Sequence, residues 1–124
     1  MNKVKKVLVA DDDLDLHQLV HDILQINFQQ VTIDRALTRN SFLEKLNAAK
    51  SPYDLILFNI RMNKHNGDSL LDSVRQMHPD IMDRMILLAD SPAEEEPAAT
   101  REVPRVSKPF SLDHFGEVIK KVCS

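Results

Sequence analysis

Three aspartates, Asp11-Asp12-Asp13, stand directly after the apolar run Val4 to Ala10, and an amide, Asn59, stands directly after the apolar run Leu55 to Phe58. Carboxylates gathered at the end of a strand can hold a hard divalent cation through oxygen. They can also cap the next helix by accepting from its first N–H groups. Asp13, closest to the helical pattern that follows, is expected to be the cap, which leaves Asp11 and Asp12 as candidate metal ligands. Asn59 closes a run short and apolar enough for a strand buried on both faces. The residue at the carboxyl end of such a strand points into the crevice where open α/β sheets hold their chemistry. An amide at that place offers no ionised oxygen for nucleophilic attack. His17 and His21 lie four apart on one helical stretch, a spacing that suits a metal pair. No third ligand is in view and both fall off the apolar stripe, so they are expected on the solvated surface.

The elements that must position these residues alternate in type. Val4 to Ala10 reads as the first strand, and Leu16, Leu19, Val20, Ile23 and Leu24 recur at helical steps within a helix from about Leu14 to Phe28. Val31 to Ala36 is the second strand. Asn40-Ser41 is placed to cap a second helix with Phe42, Leu43, Leu46 and Ala49 inward, ended by Ser51-Pro52. After the central strand, Asn66-Gly67 signals a turn, and a third helix is expected from about Gly67 to Met77 with Leu70, Leu71 and Val74 inward. Met85 to Ala89 is the fourth strand and Val103 to Val106 a short fifth. Ser111 caps a last helix with Leu112, Phe115, Val118, Ile119 and Val122 in one stripe, and Met77, Met82 and Met85 are read as core. The stretch from Asp90 to Arg101 should carry the fourth helix, but Pro92, Pro97 and the run Glu94-Glu95-Glu96 interrupt it. A proline in a helix interior costs about 3 kcal/mol, so that helix is expected to be short or irregular. The acidic run itself reads as a solvated loop, open to a basic partner.

Strands alternating with helices imply a parallel sheet with right-handed crossovers. Five such units fit a flavodoxin-like α/β fold with strand order 2-1-3-4-5, helices on both faces, and one domain over residues 1–124. A chain of 124 residues with 43% hydrophobic and 28% charged content matches an ordinary soluble globule. Its net charge of −3 leaves no basic footprint for nucleic acid. The apolar runs are too short to span a bilayer. One cysteine, Cys123, excludes an internal disulfide and fits a reducing, cytoplasmic setting. Two glycines, Gly67 and Gly116, cannot build a Gly-rich phosphate cradle.

The segment Asp54-Leu-Ile-Leu-Phe-Asn-Ile-Arg-Met-Asn63, with Gly67 beyond it, resembles the central motif of bacterial response-regulator receiver domains. In that family the acid closing the strand is the phosphoacceptor, and Asn59 holds its place here. The resemblance extends over the whole chain. It makes Asp11 and Asp12 the acid pair that helps hold magnesium. It makes Lys108, followed by Pro109, the lysine that contacts the phosphoryl group. It also exposes departures. The hydroxyl residue ending the fourth strand is Ala89, the aromatic switch residue of the fifth is Arg105, and the proline after Met62 is Asn63.

The departures fall on one reaction, since phosphoryl transfer needs an ionised oxygen and stabilising donors. The sequence therefore reads as a phosphorylation-independent pseudo-receiver. This is a non-enzymatic module of a two-component or phosphorelay system acting by protein–protein contact. Its expected partners are a histidine kinase, an output domain or another signalling protein, with a homodimer through the face of helix four, strand five and helix five as a further candidate. Magnesium is expected to bind weakly or not at all, with no other cofactor. Three alternatives stand beside it: a phosphoacceptor using a non-standard site, the receiver piece of a larger regulator, and a flavin-binding electron carrier. The last has no phosphate loop and no tryptophan to hold the ring.

Overall fold

A computed structural model of the protein describes residues 5–49, 52–62, 64–65, 68–89, 103–107 and 111–123. Within them a parallel sheet is built from β1 (Lys5–Ala10), β2 (Val31–Ala36), β3 (Leu55–Asn59), β4 (Met85–Ala89) and β5 (Arg105–Ser107), in the order β2-β1-β3-β4-β5. Four α-helices accompany it among the described residues: α1 (Leu14–Asn27), α2 (Arg39–Ala48), α3 (Leu70–Met77) and α4 (Leu112–Cys123). This is the expected flavodoxin-like order. The anticipated irregular helix between β4 and β5 lies outside the described residues.

Side chains of a strand alternate between faces, and the core divides accordingly. Leu8, Ala10, Ile56, Phe58, Met85, Leu87 and Ala89 pack with Phe42 and Leu46 of α2 and with Leu70, Leu71 and Val74 of α3. Val7, Val9, Leu55, Leu57, Ile86, Leu88 and Val106 pack with Leu16, Val20, Ile23 and Leu24 of α1 and with Phe115 and Ile119 of α4. All five residues of β3 and of β4 are buried, as central strands covered on both faces must be.

Several boundaries differ from the sequence reading. The cap of α2 is Thr38, whose Oγ1 accepts from the Ser41 N–H at 3.0 Å, so Asn40 and Ser41 fall in the first turn. The helix α3 starts at Leu70, because Asp68–Ser69 are extended and pair antiparallel with Lys64–His65. The Asn66-Gly67 turn signal lies outside the described residues. The strand β5 begins two residues late. Pro104 has no N–H to give the ladder, although its carbonyl accepts from the Leu87 N–H at 2.8 Å. Met85 and Met82 join the core as expected, but Met77 and Leu112, at the ends of their helices, are more than half exposed. Ser111 does cap α4, accepting from the His114 N–H.

At the amino end of the sheet, the Tyr53 hydroxyl donates to Asp34 Oδ2 at 2.7 Å and the Lys6 ammonium stands 4.7 Å from the Tyr53 ring centre. Burial and the Asp34 carboxylate together push the Tyr53 phenol above its ordinary range. Tyr53→Phe removes a bond to a charged acceptor and is expected to lower unfolding free energy by about 1–2 kcal/mol in urea titration.

Candidate functional site

The register of the sheet brings the two central positions together. Ala10 of β1 pairs with Phe58 of β3, so one step further places Asp11 beside Asn59. The Asp11 N–H donates to the Ala36 carbonyl at 3.1 Å, which carries the β1–β2 ladder one residue past the strand. Asp11 is 0% exposed and Asn59 1%. Polar side chains buried so fully need partners. The Asn59 Nδ2 donates to Asp11 Oδ2 at 2.7 Å, and Asn59 Oδ1 accepts from the Arg61 backbone N–H at 2.8 Å. The other Asp11 oxygen accepts from the Asp13 N–H at 2.8 Å. An amide with a carboxylate on one side and an N–H on the other has one satisfactory orientation.

Around this pair the acids separate into roles. The Asp13 carboxylate accepts from the N–H groups of Asp15 and Leu16, the expected N-cap of α1. The Asp12 side chain is 65% exposed, with Oδ1 3.4 Å from Arg61 Nη2. Arg61 sits in the 3-10 turn Ile60–Met62, whose last carbonyl accepts from Arg39 Nη1 of α2 at 3.1 Å. Burial pushes the Asp11 carboxyl above its ordinary value. The Asn59 and Asp13 bonds pull it back, and the nearby Asp12 charge adds to the rise.

His17 corrects the sequence reading. It is 2% exposed, and its Nε2–H donates to the Asp11 carbonyl at 2.7 Å, while its Nδ1 has no hydrogen-bond partner. Its place three before Val20 and seven before Leu24 puts it at the edge of the α1 stripe, a signal that periodicity carries. His21 is partly exposed, its Nδ1 3.6 Å from Asp22 Oδ1. Arg61 carried no sequence signal: its role comes from the turn that follows β3.

Of the remaining positions of the sequence reading, only Ala89 stands at the same end of the sheet among the described residues. Ala89, fully buried, ends β4 and has no hydroxyl to donate. Arg105 opens β5 opposite Leu87 and is partly exposed. Lys108 and Pro109 lie outside the described residues. Among the described residues no three His, Cys, Asp or Glu side chains are grouped to hold a metal ion. Magnesium takes oxygen ligands. Here both Asp11 oxygens are engaged, the Asn59 oxygen is turned to Arg61, and the accessible Asp12 carboxylate shares Arg61. As arranged, this donor set does not fit the ion.

The receiver-domain family model, described as response regulator receiver domain, matches residues 7–120. The chain belongs to this family, the receivers of two-component signalling. Among curated proteins it is 29% identical over 132 residues to a protein-glutamate methylesterase/protein-glutamine glutaminase of Clostridium acetobutylicum, an alignment that covers 98% of this chain and 36% of that protein. The chain thus spans about a third of the length of the curated relatives it matches. Among solved structures, a receiver domain protein from Clostridium thermocellum superposes with a TM-score of 0.75 at 19% identity, covering 97% of this chain and 94% of that one. The response regulator TrrA from Thermotoga maritima, in complex with Mg(2+)-BeF, superposes at 0.72 with 26% identity over 96% of this chain and 99% of its own. No described helix is long and apolar enough to cross a membrane.

Proposed function

We propose that this chain is a receiver that has left phosphorylation behind, a cytoplasmic pseudo-receiver that signals through contact with a protein partner. The observation that carries this is the Asn59 amide donating to the buried Asp11 carboxylate at 2.7 Å. Its nitrogen faces an acid and its oxygen faces a backbone N–H, so it presents neither charge nor nucleophile to a phosphoryl group. Ala89, the last residue of β4, and Arg105, the first of β5, supply neither a hydroxyl nor an aromatic ring. By this reading Asn59 marks the phosphoacceptor place, Asp11, Asp12, Ala89 and Lys108 are the remnant of the site, and Arg105 holds the switch position. The single domain spans residues 1–124. A histidine kinase, an output domain or another signalling protein is the partner, met through the face of β5 and α4, on which a homodimer would also form.

Beryllofluoride with magnesium tests the reading, because the complex reproduces a phosphoryl group by bonding to a carboxylate at the acceptor position. In a ¹H–¹⁵N spectrum of the intact protein, addition of both reagents is expected to leave the resonances of Asn59, Ala89 and the α4 residues in place. A second, stoichiometric set of resonances at those positions would mean that a carboxylate of this pocket accepts the group after all.

A further inference from the structure

We propose that Arg61 is the built-in cation of this pocket, standing where a receiver would draw a divalent metal, and that with Asn59 it holds the carboxyl end of the sheet together without one. This rests on the reading of Asn59 as a non-phosphorylated position and extends it to the charge balance of the site. Two carboxylates, Asp11 and Asp12, remain at the end of β1, one buried and one exposed. The buried one is met by hydrogen bonds from Asn59 and Asp13, and the exposed one by the Arg61 guanidinium at 3.4 Å.

Arg61 closes the arrangement twice. Its backbone N–H fixes the Asn59 oxygen, so that the amide nitrogen is turned to Asp11, and its side chain reaches Asp12. The residue is itself anchored, since Arg39 of α2 holds the Met62 carbonyl of the same 3-10 turn. The result is a continuous path from His17 of α1 through Asp11, Asn59 and Arg61 to Asp12. A divalent ion approaching Asp12 meets the positive charge of the guanidinium beside it. It must also turn the Asn59 oxygen away from a backbone donor. Both oppose binding, and the first is removable without touching the second, because the bond to Asn59 comes from the Arg61 main chain.

That separation defines the experiment. Magnesium is titrated into the parent, Arg61→Ala and Arg61→Lys, with the Asp12 and Asp13 amide resonances as readout. Removing one positive charge a few ångströms from the ion is expected to tighten magnesium binding about tenfold in Arg61→Ala. Arg61→Lys keeps the charge and should stay within about twofold of the parent, since what matters here is the charge and not the guanidinium fork. Adding Asp12→Asn to Arg61→Ala should abolish the gain, which assigns it to this pocket. Equal affinities in the parent and Arg61→Ala, or a gain that survives Asp12→Asn, would overturn the inference. Neither outcome bears on phosphorylation, which depends on residue 59 and is read separately by mass: Arg61→Ala keeps Asn59 and should remain unmodified by a phosphodonor.

Discussion

Asn59→Asp is expected to lower the stability of the metal-free protein by about 3 kcal/mol at neutral pH, the scale of a buried charge left without a partner. The reason is local. Asn59 Nδ2 donates to Asp11 Oδ2 at 2.7 Å in a site where both residues are buried. An aspartate of the same shape cannot donate unless it is protonated, so the variant either sets two carboxylates against each other or takes up a proton to share between them. The Asp11 carboxyl is already raised by burial, from a usual 3.8, and a second acid raises the pair further. A carboxyl whose folded pKa lies above its unfolded value favours folding where it is protonated. Its contribution is present below the unfolded pKa and is lost as the pH rises through the folded one. The gap between variant and parent should therefore close as the pH is lowered toward about 4, the unfolded value of an aspartate. Magnesium restores a cation to the variant by binding its folded state alone, and at ten times its dissociation constant it should recover about 1.4 kcal/mol, with a smaller response in the parent. Urea unfolding at pH 7 and pH 4.5, with chelator and with magnesium, reads all of these. Equal stabilities of the two proteins at pH 7 in chelator would show that the amide bond to Asp11 contributes nothing.

Phe58→Ala should do more damage still, about 3–5 kcal/mol, the range for deleting a fully buried aromatic side chain. Phe58 is the residue before Asn59, fully buried, with its ring 5.0 Å from the Phe42 ring at a tilt of 56°. It fixes the end of β3 against α2 while Asn59 turns to Asp11. With typical domain stabilities of about 5–15 kcal/mol, the variant is expected to retain only part of its folding free energy. Phe42→Ala should behave similarly, and the double variant should be less destabilised than the two losses added, by about 1 kcal/mol for the shared ring contact. Strict additivity of the two losses would mean that the rings make no contact of their own.

The alternation of apolar runs with helical stripes was enough to read the strand order, because central strands buried on both faces leave long apolar words such as Leu55 to Phe58 and Met85 to Ala89. The nearness of Asp11 and Asn59 followed from that order, since both close neighbouring strands, but the hydrogen bond between them was not read from the sequence. What escaped was set by main-chain geometry. The part played by Arg61 depends on a 3-10 turn whose N–H happens to face the Asn59 oxygen. The cap of α2 fell to Thr38 because the chain is still extended there, and no stripe announces that. His17 was misplaced by residue type: a histidine beside a stripe reads as surface, but here the Asp11 carbonyl needed a donor from α1. Met77 and Leu112, the last residue of α3 and the first of α4, stand outside the core.

The most direct measurement of the central claim is the intact mass of the protein after incubation with a small phosphodonor and magnesium. The predicted spectrum is that of the unmodified chain, in the parent and in Arg61→Ala alike, because Asn59 has no oxygen able to attack phosphorus and both Asp11 oxygens are held by hydrogen bonds. A stoichiometric adduct of one phosphoryl group, stable in acid and released by base as an acyl phosphate is, would contradict it and return this chain to the phosphorylated receivers.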